Sequence, residues 1–480
     1  MEPAALYNGI VRPFYEKAMT MDTRSASLRE SEDPPFERAG RAPMAASQSP
    51  SRGHPAHQLF RNRDFALLWS GQLLSMIGDQ CLIVAGITLI AELSQSPLAL
   101  LIPALSIVAP QVIFGLMGGV IADRLNRKLV MVVCDLARAL IVLPILFVSG
   151  LQQIWILYAA AVGLALAGVC FGPARNASLP KIVPSESLMT ANGLIQGSHV
   201  IALIVGPTIG GLAVQLWQPS AILFRSVTFL VSAIAVSLMR IPPNGRGKAV
   251  DGEEPGFWNH ITEGLSFVRH SDVLRRVLAV TAVAAVGAGA VMLLAIPHLK
   301  AKLGGGGLEY GFAISVLGLG SLLGGILATR IAKGVSTSTL VGGMLFVGGV
   351  AIVAFAYAPS YVVVLISVAL MGMCLVVARG ALDAVTQTVA PDDIRGRVQS
   401  AVNLLVMAAT GISAGLSAAV GSVVQTETVF LAAGLMTALI GLVAVFALRD
   451  AAQVLSPAAA EAPDTRRRSR WAARGSDVLS

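Results

Sequence analysis

Twelve apolar blocks, each set off by a few polar residues, govern what this 480-residue chain can become. A hydrocarbon layer about 30 Å thick is crossed by roughly 20 helical residues. Blocks of that length predict transmembrane helices near 65–93, 98–122, 129–150, 154–174, 188–216, 220–240, 273–299, 309–329, 336–357, 361–384, 398–423 and 428–448. Lipid offers backbone N–H and C=O groups no water, so a spanning segment must satisfy them within itself or in a closed barrel. The short alternating strands of a membrane barrel do not appear in the sequence. The fold class expected is therefore an all-α membrane protein of 12 transmembrane helices in two six-helix pseudo-symmetric halves.

Composition supports this. Hydrophobic residues make up 55% of the chain and charged residues only 13%, against about 25% charged in soluble domains. Cys81, Cys134, Cys170 and Cys374 all fall in apolar spans without CxxC spacing, which argues against a disulfide framework or a zinc site.

The domain layout follows from where the polar stretches are longest. Residues 1–58 are rich in Ser, Pro, Glu and Arg and predict a disordered extension; 59–240 form a first six-helix half. Residues 241–272 are a linker, 273–449 a second half, and 450–480 a basic tail. The net charge of +8 reflects that tail, with RRRSR at 466–470, and a bias among the loops. Even-numbered connections carry Arg124, Arg127 and Lys128, then Arg175 and Lys181, Arg330 and Lys333, and Arg395 and Arg397. Odd-numbered ones carry only Lys300 and Lys302. Basic loops stay in the cytoplasm, so both termini are expected there, in a multi-pass protein of the cell membrane. The tail suits anionic lipid headgroups, and nothing else in the chain resembles a nucleic-acid module.

The halves echo each other about 206 residues apart. GGVIADR at 118–124 matches GGILATR at 324–330, with Thr329 in place of Asp123. VPSESLMTANGL at 183–194 is echoed by APDDIRGRVQSAVNLL at 390–405. Both pairs join equivalent helices in the same orientation, which marks a parallel repeat. Such repeats suit a machine that rocks about a central site near the bilayer midplane, a transporter rather than an enzyme.

Four passages carry a family resemblance: RNRDFALLWSGQLLSMIGD at 61–79, GGVIADRLNRK at 118–128, LPKIVPSESLMTANGL running into GPTIGG at 206–211, and VAPDDIRGRVQS at 389–400. The chain resembles the major facilitator superfamily, in its group of drug and siderophore exporters that includes macrolide-efflux and enterobactin-exporter proteins. GGVIADRLNRK is similar to the superfamily's loop 2/3 motif through Gly119, Asp123, Arg124, Arg127 and Lys128, with Asn126 at the usual second glycine. The resemblance implies a cytoplasmic gate in which Arg395 and Arg397, just after PDD, flank the partner helix N-terminus. The fifth span is similar to the antiporter motif through Gly193, Gly206, Pro207, Gly210 and Gly211, with Ala202 at its middle glycine. That implies export. Many proton-driven drug exporters of the superfamily carry an arginine inside the fourth span, which here has none before Arg175. A proton relay built on that arginine is not carried over.

Ionisable and polar groups inside spans are the functional candidates, because burying them in hydrocarbon is costly. Gln72, Ser75 and Asp79 recur at helical spacing and share one face of the first span. Asp79 is a candidate for the coupling proton or for contact with a cationic substrate; the alternative is a fixed hydrogen-bonding or gating role beside Gly78. Asn192, Gln196 and His199 on the fifth span, and Gln399 and Asn403 on the eleventh, form matched polar faces of repeat-equivalent helices. His199 titrates near neutral pH unless a neighbouring helix satisfies it. Asp135 with Arg138, and Arg379 with Asp383, have the spacing of ion pairs. Arg225, in the sixth span, either snorkels to the interface or faces substrate. Trp69, Trp155 and Trp217 read as interfacial anchors.

The glycine run at 304–307 lacks the Lys and Ser or Thr that a phosphate loop needs. No cofactor or ATP site is expected, so the energy comes from an ion gradient or the substrate's own. The function expected is export of an amphiphilic small molecule by alternating access, with the proton as coupling ion and the bilayer as the other partner. Two alternatives remain: a lipid or lysolipid flippase of the same fold, and a non-transporting receptor or scaffold.

Overall fold

Asn62 starts the first helix. Its side-chain oxygen accepts from the backbone N–H of Asp64 at 3.0 Å and Phe65 at 3.3 Å, and Asp64 adds negative charge to the first turn. The structure, a computed structural model, describes residues 59–94, 96–103, 105–106, 110, 114, 125–241, 257–331, 334–391 and 394–449.

The helices are α1 Arg63–Leu93, α2 Arg127–Val142, α3 Ile154–Ile182, α4 Leu188–Leu216, α5 Gln218–Leu238, α6 Phe257–His270 and α7 Asp272–Leu303. They continue as α8 Gly307–Ile331, α9 Thr337–Ala356, α10 Tyr361–Val389, α11 Arg395–Gly421 and α12 Thr426–Ala447. All but α6 are long and apolar enough to cross a membrane, which makes 11 spans among the described residues. They correspond to expected spans one and three to twelve. The second span opens with a 3-10 turn at Pro97–Leu100, and most of its remainder lies outside the described residues. So do the extension 1–58, the tail 450–480 and the gate residues Gly119, Asp123 and Arg124.

Two spans run further than composition indicated. The fourth, expected to stop at 174, continues as α3 through Pro173 and Pro180 to Ile182. The tenth, expected to stop at 384, continues as α10 to Val389. Each ends where the next residue but one is proline: Val183 and Ala390 take extended backbone before Pro184 and Pro391. A residue preceding proline is sterically driven out of the helical region, so these prolines set the ends and the fall in hydropathy does not. Arg175 and Lys181 therefore stand on a helix. The expected linker also contains structure, since α6 occupies its second part. Val268 of α6 is buried with Leu274, Ala390, Val398 and Val402, attaching α6 to α7 and α11.

Packing repeats between the halves. Within the first half α1 packs on α4 and α5, and α2 on α3 and α5; within the second α7 packs on α11 and α12, and α9 on α10 and α12. The fifth span (α4) packs on the eighth (α8), and the second span's first turn packs on the eleventh (α11), an exchange of equivalent elements. This is the pseudo-symmetry the repeat predicts.

The two ends of the bundle differ. At the end that carries Arg127 and Lys128, here the basic end, Arg127 Nη1 donates to Ala177 O at 2.8 Å and Lys128 Nζ to Met239 O at 2.8 Å. Among the described residues, contacts between the halves are found toward the far end. Thr208 of α4 donates to Ser315 Oγ of α8 from its hydroxyl at 2.7 Å and its N–H at 3.1 Å. A Cβ on Gly211 would lie 2.5 Å from Gly307 O and 2.7 Å from Leu308 Cα, so the backbones of α4 and α8 touch. Lys300 of α7 reaches Ala91 O at the end of α1, 3.4 Å away.

Candidate functional site

Gln72, Ser75 and Asp79 occupy one face of α1 as their spacing predicts, but in different surroundings. Gln72 and Ser75 are buried, while the Asp79 side chain is 54% exposed. Across from them stands Arg225 of α5, 1% exposed, whose Nη2 bonds the Asp79 carboxylate. Its Nη1 donates to the Ser75 carbonyl, and to the hydroxyls of Ser75 and Thr228 at 3.3 Å each. The guanidinium carbon lies 3.4 Å from the centre of the Phe229 ring. Arg225 thus neither snorkels nor faces solvent. It is sealed between α1 and α5, where Gly78 supplies room: a Cβ there would come within 2.9 Å of Arg225 Nη1.

A second pair lies behind the first. Asp135 of α2 is fully buried and accepts from Arg138 Nη1 at 3.3 Å. Arg138 faces the Phe171 ring at 4.7 Å and the same Phe229 ring at 5.6 Å. Asp135 Oδ2 and Arg225 Nε are buried without hydrogen-bond partners.

In front of Asp79 opens a cavity of about 350 Å³, extending toward the far end between α1, the start of the second span, α3 and α7. Its walls include Leu82, Ile90, Leu157, Leu164 and Met292, and among the described lining residues Asp79 alone is ionisable. An apolar chamber with one carboxylate is suited to an amphiphile that carries a single polar or charged group.

Toward the basic end, Arg175 Nη1 reaches Gln72 Oε1 at 3.4 Å, joining α3 to the Asp79 face of α1. Asn192, Gln196 and His199 are exposed on α4, and His199 lies in the field of both Arg175 and Asp79. Exposed amides within a span front water, because lipid would leave their polar atoms unsatisfied. In the second half, residues that the sequence placed in two groups form one cluster. Arg379 Nε donates to Asp383 at 2.9 Å and its Nη2 bonds Asn403, while Gln399 Nε2 reaches Asp383 at 3.1 Å and Asn403 at 3.3 Å. Arg395 Nε donates to Gln387 O at 2.8 Å, tying the start of α11 to α10. Arg397 meets α6, since a Cβ on Gly264 would lie 2.5 Å from its carbonyl oxygen.

The glycine motif on α4 serves two partners. A Cβ on Gly206 would meet Ile77 O at 2.7 Å, and one on Gly210 would meet Cys81 O at 2.7 Å, both on α1. Gly211 faces α8 instead, Pro207 and Ala202 are buried, and Gly193 has nothing within 4 Å. Close helix approach thus explains three of the motif glycines and not Gly193. Trp155 and Trp217 are exposed near span ends, whereas Trp69 is packed: its Nε1 donates to Leu194 O at 3.4 Å and Phe60 meets its ring edge-on.

Two features escaped the sequence reading. One is the Asp79–Arg225 pair, whose signal was available as two opposite charges in spans whose other charges, Glu92 and Arg240, lie at the ends. The other closes the far end of the second half, where Lys302 Nζ pairs with Glu427 at 2.9 Å and His298 Nδ1 is hydrogen-bonded to Thr426 Oγ1 at 3.0 Å.

Residues 55–475 match the family described as transmembrane secretion effector. The chain belongs to that family of the major facilitator superfamily. It is similar to macrolide efflux protein A of Streptococcus pyogenes, 26% identical over 79% of this chain and 94% of that one. It is also similar to the multidrug efflux pump Tap of Mycolicibacterium fortuitum, 28% identical over 80% of this chain and 94% of that one. Its fold matches a bacterial homologue of the human lysosomal transporter Spinster in an inward-facing, unoccupied conformation, with a TM-score of 0.62 at 16% identity over 82% of this chain and 97% of that one. The protein is a multi-pass efflux transporter of the major facilitator type and not an enzyme.

Proposed function

We propose that this transporter exports amphiphilic solutes across the cytoplasmic membrane in exchange for protons, with Asp79 as the group for which proton and solute compete. The observation that carries the reading is the apolar cavity of about 350 Å³ with Asp79 as its one ionisable group among the described lining residues. Macrolides or other drug-like amphiphiles are the favoured solutes, supported by the names of the relatives; a secreted siderophore is the other candidate. The bases of the loops favour a cytoplasmic basic end, so the far-end seal of α4 on α8 corresponds to a state closed to the outside. In that state Asn192, Gln196, His199, Gln399 and Asn403 line the water-filled approach from the cytoplasm. The seal then opens as the halves rock, and the basic end closes.

The test is uptake into inverted membrane vesicles under an imposed pH gradient. Accumulation of a macrolide or a tetracycline, lost in Asp79→Asn with the protein still in the membrane, is expected. Transport unchanged in that variant removes Asp79 from the mechanism. Transfer of lipid with no drug uptake replaces export with flipping.

A further inference from the structure

We propose that Asp135 is the alternate partner of Arg225: when a cationic amphiphile takes the Asp79 carboxylate, the Arg225 guanidinium moves onto Asp135. This deepens the exporter reading and rests on it, adding a single positive charge to the description of the solute. Four observations converge on the exchange.

Arg225 is 1% exposed, so no water compensates it if Asp79 is taken. Leaving one member of a buried pair without its partner is far more costly than the pair itself. A solute cation that takes the Asp79 carboxylate from Arg225 is therefore favoured if Arg225 finds another anion.

Asp135 is the buried carboxylate on α2, the helix packed against α5. Arg225 lies 3.4 Å from the centre of the Phe229 ring and Arg138, the present partner of Asp135, lies 5.6 Å from the same centre. Asp135 and Arg225 each lie in the other's field.

Both have capacity to spare. A carboxylate accepts on two oxygens, and Asp135 uses one, toward Arg138, while Oδ2 is buried with no hydrogen-bond partner. Ser232 lies beside it but outside hydrogen-bond geometry. Arg225 Nε is likewise buried and unbonded. A vacant acceptor and a vacant donor at this depth are exceptions to the near-complete pairing of buried polar groups.

The exchange also keeps both guanidiniums of the two pairs beside a carboxylate, with Asp135 shared between Arg138 and Arg225. The groups around the site are Asp79 on α1, Asp135 and Arg138 on α2, Arg175 on α3, His199 on α4 and Arg225 on α5. With the solute cation on Asp79, Asp135 would hold Arg138 on one oxygen and Arg225 on the other. Phe229 gives the guanidinium an aromatic face to slide along.

The test measures binding of tetraphenylphosphonium and of the uncharged amphiphile N-phenyl-1-naphthylamine to the purified full chain. The wild type is expected to prefer the cation. Asp135→Asn should weaken tetraphenylphosphonium binding about tenfold or more and change the neutral probe less than about twofold. In an Arg225→Gln background no guanidinium needs a new partner, so adding Asp135→Asn should change cation binding by less than about twofold. Equal losses for both probes, or the same loss with Arg225 already removed, would mean that Asp135 acts only in folding and overturn the proposal. Should either variant fail to fold, a structure of the wild type with tetraphenylphosphonium bound decides: Arg225 within hydrogen-bond distance of Asp135 supports the exchange, and Arg225 still on Asp79 refutes it. Drug accumulation in vesicles with no cation preference in binding sinks the exchange alone, whereas no accumulation of any drug sinks the exporter reading.

Discussion

The carboxylate of Asp79 and the guanidinium of Arg225 meet across 146 positions of sequence, the acid 54% exposed to the cavity and the base 1% exposed behind it. This asymmetry determines what each partner's loss does. Asp79 without Arg225 still has water. Arg225 without Asp79 has only neutral neighbours besides the Asp135–Arg138 pair.

Substituting the acid should therefore destabilise more than substituting the base. Asp79→Leu takes the present carboxylate from a buried cation; with Asp79 half exposed and Asp135 as the alternate partner, the loss should fall below the ~3–5 kcal/mol of fully buried pairs. Arg225→Met removes the cation, keeps much of the contact with Phe229 and leaves a hydrated carboxylate. Thermal unfolding in detergent should place Asp79→Leu below Arg225→Met, and the reverse order would show that Asp79 is not the anchor of Arg225.

How legible the site was follows from the same residues. The spans, the parallel repeat and the polar face of α1 were readable because apolar length and helical period are local signals. The cluster of Arg379, Asp383, Gln399 and Asn403 was half readable: each i and i+4 pair stood in the sequence, but bringing α10 beside α11 required the fold. The fate of Arg225 was not readable, since snorkelling and burial differ only in whether an acid waits on another helix. Likewise the proline that ends α3 was in plain view at Pro184, and hydropathy alone stopped the span too early.

The seal between α4 and α8 makes the motif glycines unequal. A side chain on Gly211 would drive into Gly307 and Leu308, whereas Gly193 faces open space. Overpacking of about 1–3 kcal/mol in Gly211→Val is enough to shift an equilibrium between closed and open far ends by roughly five- to a hundredfold. The same change at Gly193 should leave it alone. Labelling of a cysteine at position 208 by an impermeant maleimide outside intact cells reads the difference: fast in Gly211→Val, slow with Gly193→Val.

The Thr208 and Ser315 hydroxyls, 2.7 Å apart, mark a point where the halves can be tied. A disulfide between Thr208→Cys and Ser315→Cys would hold the far end shut, as its bond length tolerates no separation of the helices. Oxidation should stop drug accumulation in vesicles and a reductant should restore it, while each single cysteine variant stays active. Full transport by the oxidised double variant would rule out rocking about this seal.

Finally, α6 behaves in this structure as part of the second half and not as a loose tether. Gly264 lets it rest on the backbone of Arg397, and Val268 fills the space between α7 and α11. Arg269 on α6 is exposed, yet trypsin needs an extended backbone, so cleavage there reports local opening of the helix. Gly264→Leu would force α6 off α11 because the added side chain meets the Arg397 carbonyl. A loss of about 1–3 kcal/mol in docking should speed cleavage at Arg269 by roughly five- to a hundredfold when opening and closing outpace the protease. Fragment masses after brief digestion give the rate, and the wild type digested in parallel serves as the reference. An unchanged rate at Arg269 would mean that α6 holds its helix without α11.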